Sequence, residues 1–207
     1  MISAGEEQPS STSASSNSSR STSSTRRAPY SPPTASPQSG ARPTSTDLFE
    51  LVDPTLDWDD LGALAEDCSL PVLLKGVQTG EDAALAVEHG AAGVIVSNHG
   101  GRQLDGVAAT VDILPEVVEA VGGRCEVLMD GGVRRGTDAA VALALGARAV
   151  LVGRAPLWGL AVGGEYGARR VLEVLREEFE LALVLLGCSS PAEITPQHVA
   201  SPAVYSD

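Results

Sequence analysis

The sequence predicts an α/β fold, a buried parallel sheet covered by helices, and three observations predict it. Four short segments are nearly continuous apolar runs, the pattern of strands buried on both faces. Each run is followed by a segment with Ala, Leu or Val at helical spacing, so the chain reads as repeated βα units. Each run also ends in glycine or polar residues. That lines chemistry up on one rim, where doubly wound sheets and barrels alike bind their ligands.

The first run, LPVLLKG (70–76), ends in Lys75 and Gly76, and TGEDAALAVEHG (79–90) predicts a helix stopped by Gly90. AAGVIVSNHGG (91–101) is the second run, and TVDILPEVVEAVGG (110–123) its helix, with Pro115 tolerable only in the first turn. CEVLMDGG (125–132) is the third run, followed by the helix GTDAAVALALGA (136–147). RAVLVGR (148–154) is the fourth. After a loop, GEYGARRVLEVLREEFELALVLLG (164–187) predicts one long amphipathic helix.

Composition divides the chain. Residues 1–46 include 27 Ser, Thr or Pro and almost no large apolar side chain. Such a segment buries too little surface to offset its ordering entropy, so a disordered tail is expected there. Residues 47–207 are globular in composition and long enough for a core. The tail carries four Arg against two Glu, or +2, so the rest carries −15 of the total −13. That acidity argues against non-specific nucleic-acid binding. No apolar run approaches the roughly 18 residues that span a bilayer, so no membrane association is expected. Cys68, Cys125 and Cys188 lie far apart, which disfavours a disulfide framework or zinc site and points to a reducing, intracellular compartment. The Arg- and Ser-containing tail lacks the apolar helix face of a transit peptide, and no address is read from it.

The rim residues carry the chemistry. Lys75 is either a solvated strand end or a cation that stabilises negative charge on a ligand. DGGVRRGTD (130–138) and VGR (152–154) are glycine-rich strand ends on adjacent runs. Glycines let backbone N–H groups approach an anion, a helix N-terminus adds positive potential, and Arg134 or Arg135 supplies a fork. Tight turns alone also need glycine, but two such turns on the last two strands fit a barrel phosphate site. His99 has the chemistry of a proton acceptor near neutral pH, Arg102 can pair with a carboxylate, and Gly100 and Gly101 leave room for a ligand. No second His or Cys at ligand spacing accompanies His99, so no metal is expected. His89 and His198 read as surface or packing residues.

LPVLLKG, GVIVSNHGGRQLDGVAATVDILPEVV, DGGVRRGTDAAVALALGARAVLVGR and EFELALVLLGC resemble the FMN-dependent 2-hydroxy-acid oxidases and dehydrogenases, most nearly those of glycolate oxidase type. The resemblance runs from about Asp53 to His198, with DPTLDWDDL (53–61) similar to the family's lead-in to its fifth strand. It implies a (β/α)8 barrel of which this chain holds strands five to eight, a partial TIM barrel within 47–207. It also implies FMN as cofactor and oxidation of a small (S)-2-hydroxy acid, of glycolate or lactate class, to a 2-oxo acid. Oxygen would be the acceptor and hydrogen peroxide the product.

By the same resemblance, Lys75 sits near the flavin N1/C2 carbonyl and Ser97 at the flavin edge. His99 is the base, and Arg102 grips the substrate carboxylate. Asp130, Gly131, Gly132, Val133 and Arg134 hold the ribityl chain and phosphate, with Gly153 and Arg154 completing the cup. A peroxisomal location is implied as well, although the C-terminal VYSD carries no SKL-type signal. The first four strands have no counterpart, nor has the acidic partner that orients the histidine, so impaired turnover is one expectation. A homo-oligomer is one way to close such a half barrel. The alternatives are a non-catalytic half-barrel interaction or regulatory protein, a truncated gene product, or a phosphate-binding barrel without flavin.

Overall fold

The computed structural model describes residues 2–3 and 53–200. The chain divides into two compact units, one of residues 6–56 and one of the remainder. In the first, Thr55 donates from its N–H and its Oγ1 to Asp53 Oδ1, at 2.9 and 2.7 Å. Apart from residues 2–3, the Ser/Thr/Pro-rich segment 1–46 and its boundary at 46/47 lie outside the described residues.

The second unit runs β1 (Ile2–Ser3), α1 (Trp58–Asp67), β2 (Leu73–Val77), α2 (Gly80–Glu88), β3 (Gly93–Val96), α3 (Thr110–Val121), β4 (Glu126–Met129), α4 (Gly136–Ala144), β5 (Ala149–Val150) and α5 (Arg154–Leu186). The sheet order is β1-β5-β4-β3-β2. Strands β2 to β5 are parallel and neighbour one another in chain order, as successive βα units require. Strand β1, which the sequence does not predict, pairs antiparallel with β5 (Ile2 opposite Val150). Backbone pairing of that kind needs no apolar side chain.

Strand alternation sorts the side chains onto two faces. Val94, Val96, Val127, Met129 and Val150 join the core under the helices, where α3 adds Ile113, Leu114, Val117 and Val121. Each such side chain contributes about 1.5–3 kcal/mol on burial. Ile95, Leu128 and Ala149 form a smaller cluster with Leu151. Ser97 and Asp130 lie two residues beyond Ile95 and Leu128, so the period of two puts them on that second face, at the carboxyl ends of the strands. That face carries the candidate site.

Three differences from the sequence expectation have physical reasons. Pro115 is the sixth residue of α3, past the first turn; the apolar burial along that helix outweighs the hydrogen bond it forfeits. The fourth strand is shorter than RAVLVGR, although Arg148 and Leu151 still donate N–H bonds to Val127 and Met129 carbonyls at 2.7 and 2.9 Å. The expected loop after Arg154 is helical. Helix α5 begins there and is interrupted at Gly163 and Gly164 (φ 59°, ψ −145°), so it comprises a short segment, 154–162, and a long one, 165–186. No helix among the described residues is long and apolar enough to cross a membrane.

Candidate active site

The site begins at an irregularity in the sheet. β2 and β3 are in register to Lys75 and Ile95, then Val77 pairs with Val96, so Gly76 bulges out. Its φ of 105° suits glycine, and a Cβ there would stand 3.1 Å from His99 Cε1. A bulge that re-aims neighbouring side chains is a frequent neighbour of active sites. His99 itself has φ 54°, and no other non-glycine among the described residues has a positive φ. That conformation costs of order 1–3 kcal/mol and persists only where surrounding structure holds it. Here Ser97 Oγ holds it, accepting the His99 N–H at 3.1 Å.

Ser97 is completely buried and also accepts a bond from Lys75 Nζ at 2.8 Å. Lys75 Nζ pairs in turn with Asp130 Oδ2 at 2.9 Å. Asp130 is steadied through its backbone, whose carbonyl accepts from Thr110 Oγ1 at 2.6 Å. Its other carboxylate oxygen, Oδ1, is buried with no hydrogen-bond partner among the described residues. A buried acceptor without a donor is costly.

Lys75, His99, Arg102, Asp130, Arg134 and Arg154 converge on one cleft of about 390 Å³, together with Gly131, Gly132, Val133 and Gly153. Every site residue expected from the sequence lines it except Ser97, which lies beneath and supports Lys75 and His99. Four cations face one carboxylate there, in a chain whose net charge is −13. An electropositive cleft in an acidic protein focuses its field on anions.

The two helix ends beside the cleft differ. At α4, Asp138 Oδ2 accepts the N–H groups of Arg134 and Arg135 at 2.8 and 2.9 Å, and Glu178 Oε2 accepts that of Gly136 at 2.9 Å. These three donors, at the helix end that the sequence reading expects to add positive potential, bond to carboxylates of the chain itself. At α5 no side chain caps the first turn. Arg154 heads that helix, and its Nη2 donates to the Gly100 carbonyl at 3.0 Å, drawing the 99–101 turn towards it. An uncapped helix start beside a glycine loop on the next strand is the form of a barrel phosphate site.

Sequence reasoning missed Leu157 and Trp158, which also line the cleft. The signal was present. Trp158 follows Arg154 at helical spacing, but the segment reads as a loop because of its glycines. His89 and His198 take packing roles: His89 lies 6.0 Å, ring to ring, from Trp58, and His198 Nδ1 accepts the Thr195 N–H at 3.0 Å.

Sheet, helices and rim together define an α/β protein with a cleft lined by four cationic side chains at the carboxyl ends of its strands. The chain belongs to the FMN-dependent dehydrogenase family, whose model matches residues 4–201. It is 58% identical over 143 residues to 2-hydroxyacid oxidase 1 of Mus musculus, covering 69% of this chain and 39% of that one. It is equally identical, over 148 residues, to the peroxisomal (S)-2-hydroxy-acid oxidase of Oryza sativa subsp. japonica, covering 72% and 40%. A crystal structure of mandelate oxidase with benzoyl-formic acid superposes with a TM-score of 0.64 at 51% identity, over 66% of this chain and 41% of that one. The chain thus spans about two-fifths of the length of the relatives it matches. Its four parallel strands are part of a TIM barrel.

Proposed function

We propose that this rim is an FMN site serving the oxidation of a small (S)-2-hydroxy acid, of glycolate or lactate class, to the 2-oxo acid. The convergence of Lys75, His99, Arg102, Arg134 and Arg154 on one cleft carries the reading. The residues fit the cofactor. The unpartnered Asp130 Oδ1 suits a ribityl hydroxyl, and the uncapped α5 start with Arg134 suits a phosphate. Bound there, FMN would supply the acceptor for the two electrons that leave the substrate, with oxygen as the final acceptor and hydrogen peroxide as the product.

The chain's own groups do the rest. Arg102 pairs with the substrate carboxylate and orients the α-carbon. His99 takes the hydroxyl proton; the Ser97 bond holds its backbone, and the lack of a Cβ on Gly76 leaves room for its ring. Lys75, fixed by Ser97 and Asp130, offers positive charge to the reduced ring. Gly131, Gly132, Val133, Arg134, Gly153 and Arg154 cradle the ribityl chain and phosphate. On this reading residues 47–207 are the C-terminal half of an FMN hydroxy acid dehydrogenase domain, and the rice relative's name supports a peroxisomal location.

The test is the visible spectrum of the purified 207-residue chain reconstituted with FMN. A bound-flavin band that bleaches with glycolate or lactate under nitrogen, and returns with peroxide on aeration, is the expected result. His99→Ala should keep the band and bleach slower by roughly a hundredfold or more. A chain that retains no flavin, or a variant that bleaches as fast, overturns the assignment.

A further inference from the structure

We propose that the long segment of α5 (165–186) is a strut that sets the geometry of the phosphate cup, with Gly159, Gly167 and Glu178 as positioning residues. This rests on the FMN reading above. Both cup loops, 130–135 and 151–154, lead directly into helices that are seated on this one rod.

The first seat is backbone on backbone. The short segment 154–162 folds back over the long one through Gly163 and Gly164. A Cβ on Gly167 would stand 2.0 Å from the Gly159 carbonyl oxygen, and one on Gly159 would stand 2.3 Å from that of Gly167. No side chain fits at either position without moving the short helix, and that helix carries Arg154 and the uncapped N-terminus at its other end. The second seat holds α4. A Cβ on Gly136 would stand 2.1 Å from the Phe179 nitrogen, and the Gly136 N–H donates to Glu178 Oε2 at 2.9 Å.

Gly167 and Glu178 lie on one uninterrupted helix, about 16 Å apart at the α-helical rise. The rod therefore fixes the start of α5 relative to the loop that carries Val133 and Arg134.

FMN and riboflavin differ only in the phosphate, so the ratio of their affinities isolates the cup from the rest of the site. Flavin fluorescence titrations of the full chain should show FMN bound more tightly. Gly167→Ala should lower the FMN-to-riboflavin ratio by roughly tenfold or more, with riboflavin affinity kept, because the short helix and its N-terminus are displaced. Leu181→Ala, exposed on the same helix, should leave the ratio unchanged. Glu178→Ala tests the second seat in the same way and carries the test alone if Gly167→Ala fails to fold by circular dichroism. A native preference for FMN that survives these substitutions overturns the strut and leaves the FMN reading standing. A native chain that binds the two flavins equally overturns both.

Discussion

Lys75, Ser97 and Asp130 come from three adjacent strands and form one polar chain on the second face of the sheet. Asp130 is the residue at stake in it, because its side chain is 19% exposed and one of its oxygens already lacks a partner. Removing the ammonium would leave a largely buried carboxylate with no cation. Lys75→Met should therefore destabilise the fold by about 1–3 kcal/mol, read from the urea midpoint. Adding Asp130→Asn should recover part of the loss, because it removes the stranded charge. An unchanged midpoint in the single variant would mean that solvent already satisfies Asp130. Only part of this was legible in the sequence. Lys75, His99 and Arg102 stood out by residue type at a strand end. The supporting position of Ser97 did not, since a serine beside an apolar run has the same sequence signature whether it lines a cleft or lies under one.

Helices set the poise of the rim. The sequence DGGVRRGTD read as an anion-binding helix start, and Gly131, Gly132 and Arg134 of it do line the cleft, whereas Arg135 and Gly136 do not. The helix end itself is closed by Asp138, four positions beyond Arg134, and by Glu178 from α5. The Asp138 bond is local and in principle legible. The Glu178 bond spans forty-two positions and is not. Along α5, Arg170 donates to both oxygens of Glu177, at 2.9 and 3.3 Å. That hydrogen bonding is the main reason the Glu177 carboxyl lies below its ordinary value of 4.5. A carboxylate so lowered lends stability that is complete above the ordinary value and is lost as pH falls through the lowered one. Arg170→Gln should return Glu177 to the ordinary range in an NMR titration of its side-chain carboxyl. It should also remove that acid-side contribution. A titration curve identical to the native one would assign the shift to another group. Both residues are exposed, so added salt should weaken the effect.

The whole molecule combines an acidic surface with an electropositive cleft, and a sheet whose end strand is β2. Among the described residues no strand pairs with the outer side of β2, and Leu73 there is 41% exposed. Sedimentation velocity should show association that grows with concentration and weakens in Leu73→Lys, because a charge on an end strand opposes edge pairing. Association unaffected by that substitution would place the contact elsewhere. The net charge of −13 opposes assembly by general repulsion, so salt should promote it while leaving the Leu73 dependence intact.

The sequence by itself determined the βα order, the parallel sheet and the rim residues, because hydrophobic period and strand-end chemistry are local properties written into consecutive positions. The motif residues also determined the family. The tertiary structure decided how the α4 start is closed, where Pro115 falls in its helix, and that the segment after Arg154 is helical. It decided as well that Gly159, Gly167 and Gly136 are points of backbone contact. Each of these depends on what packs against a residue from a distant part of the chain, and a glycine in a sequence does not say whether it makes a turn or admits a helix.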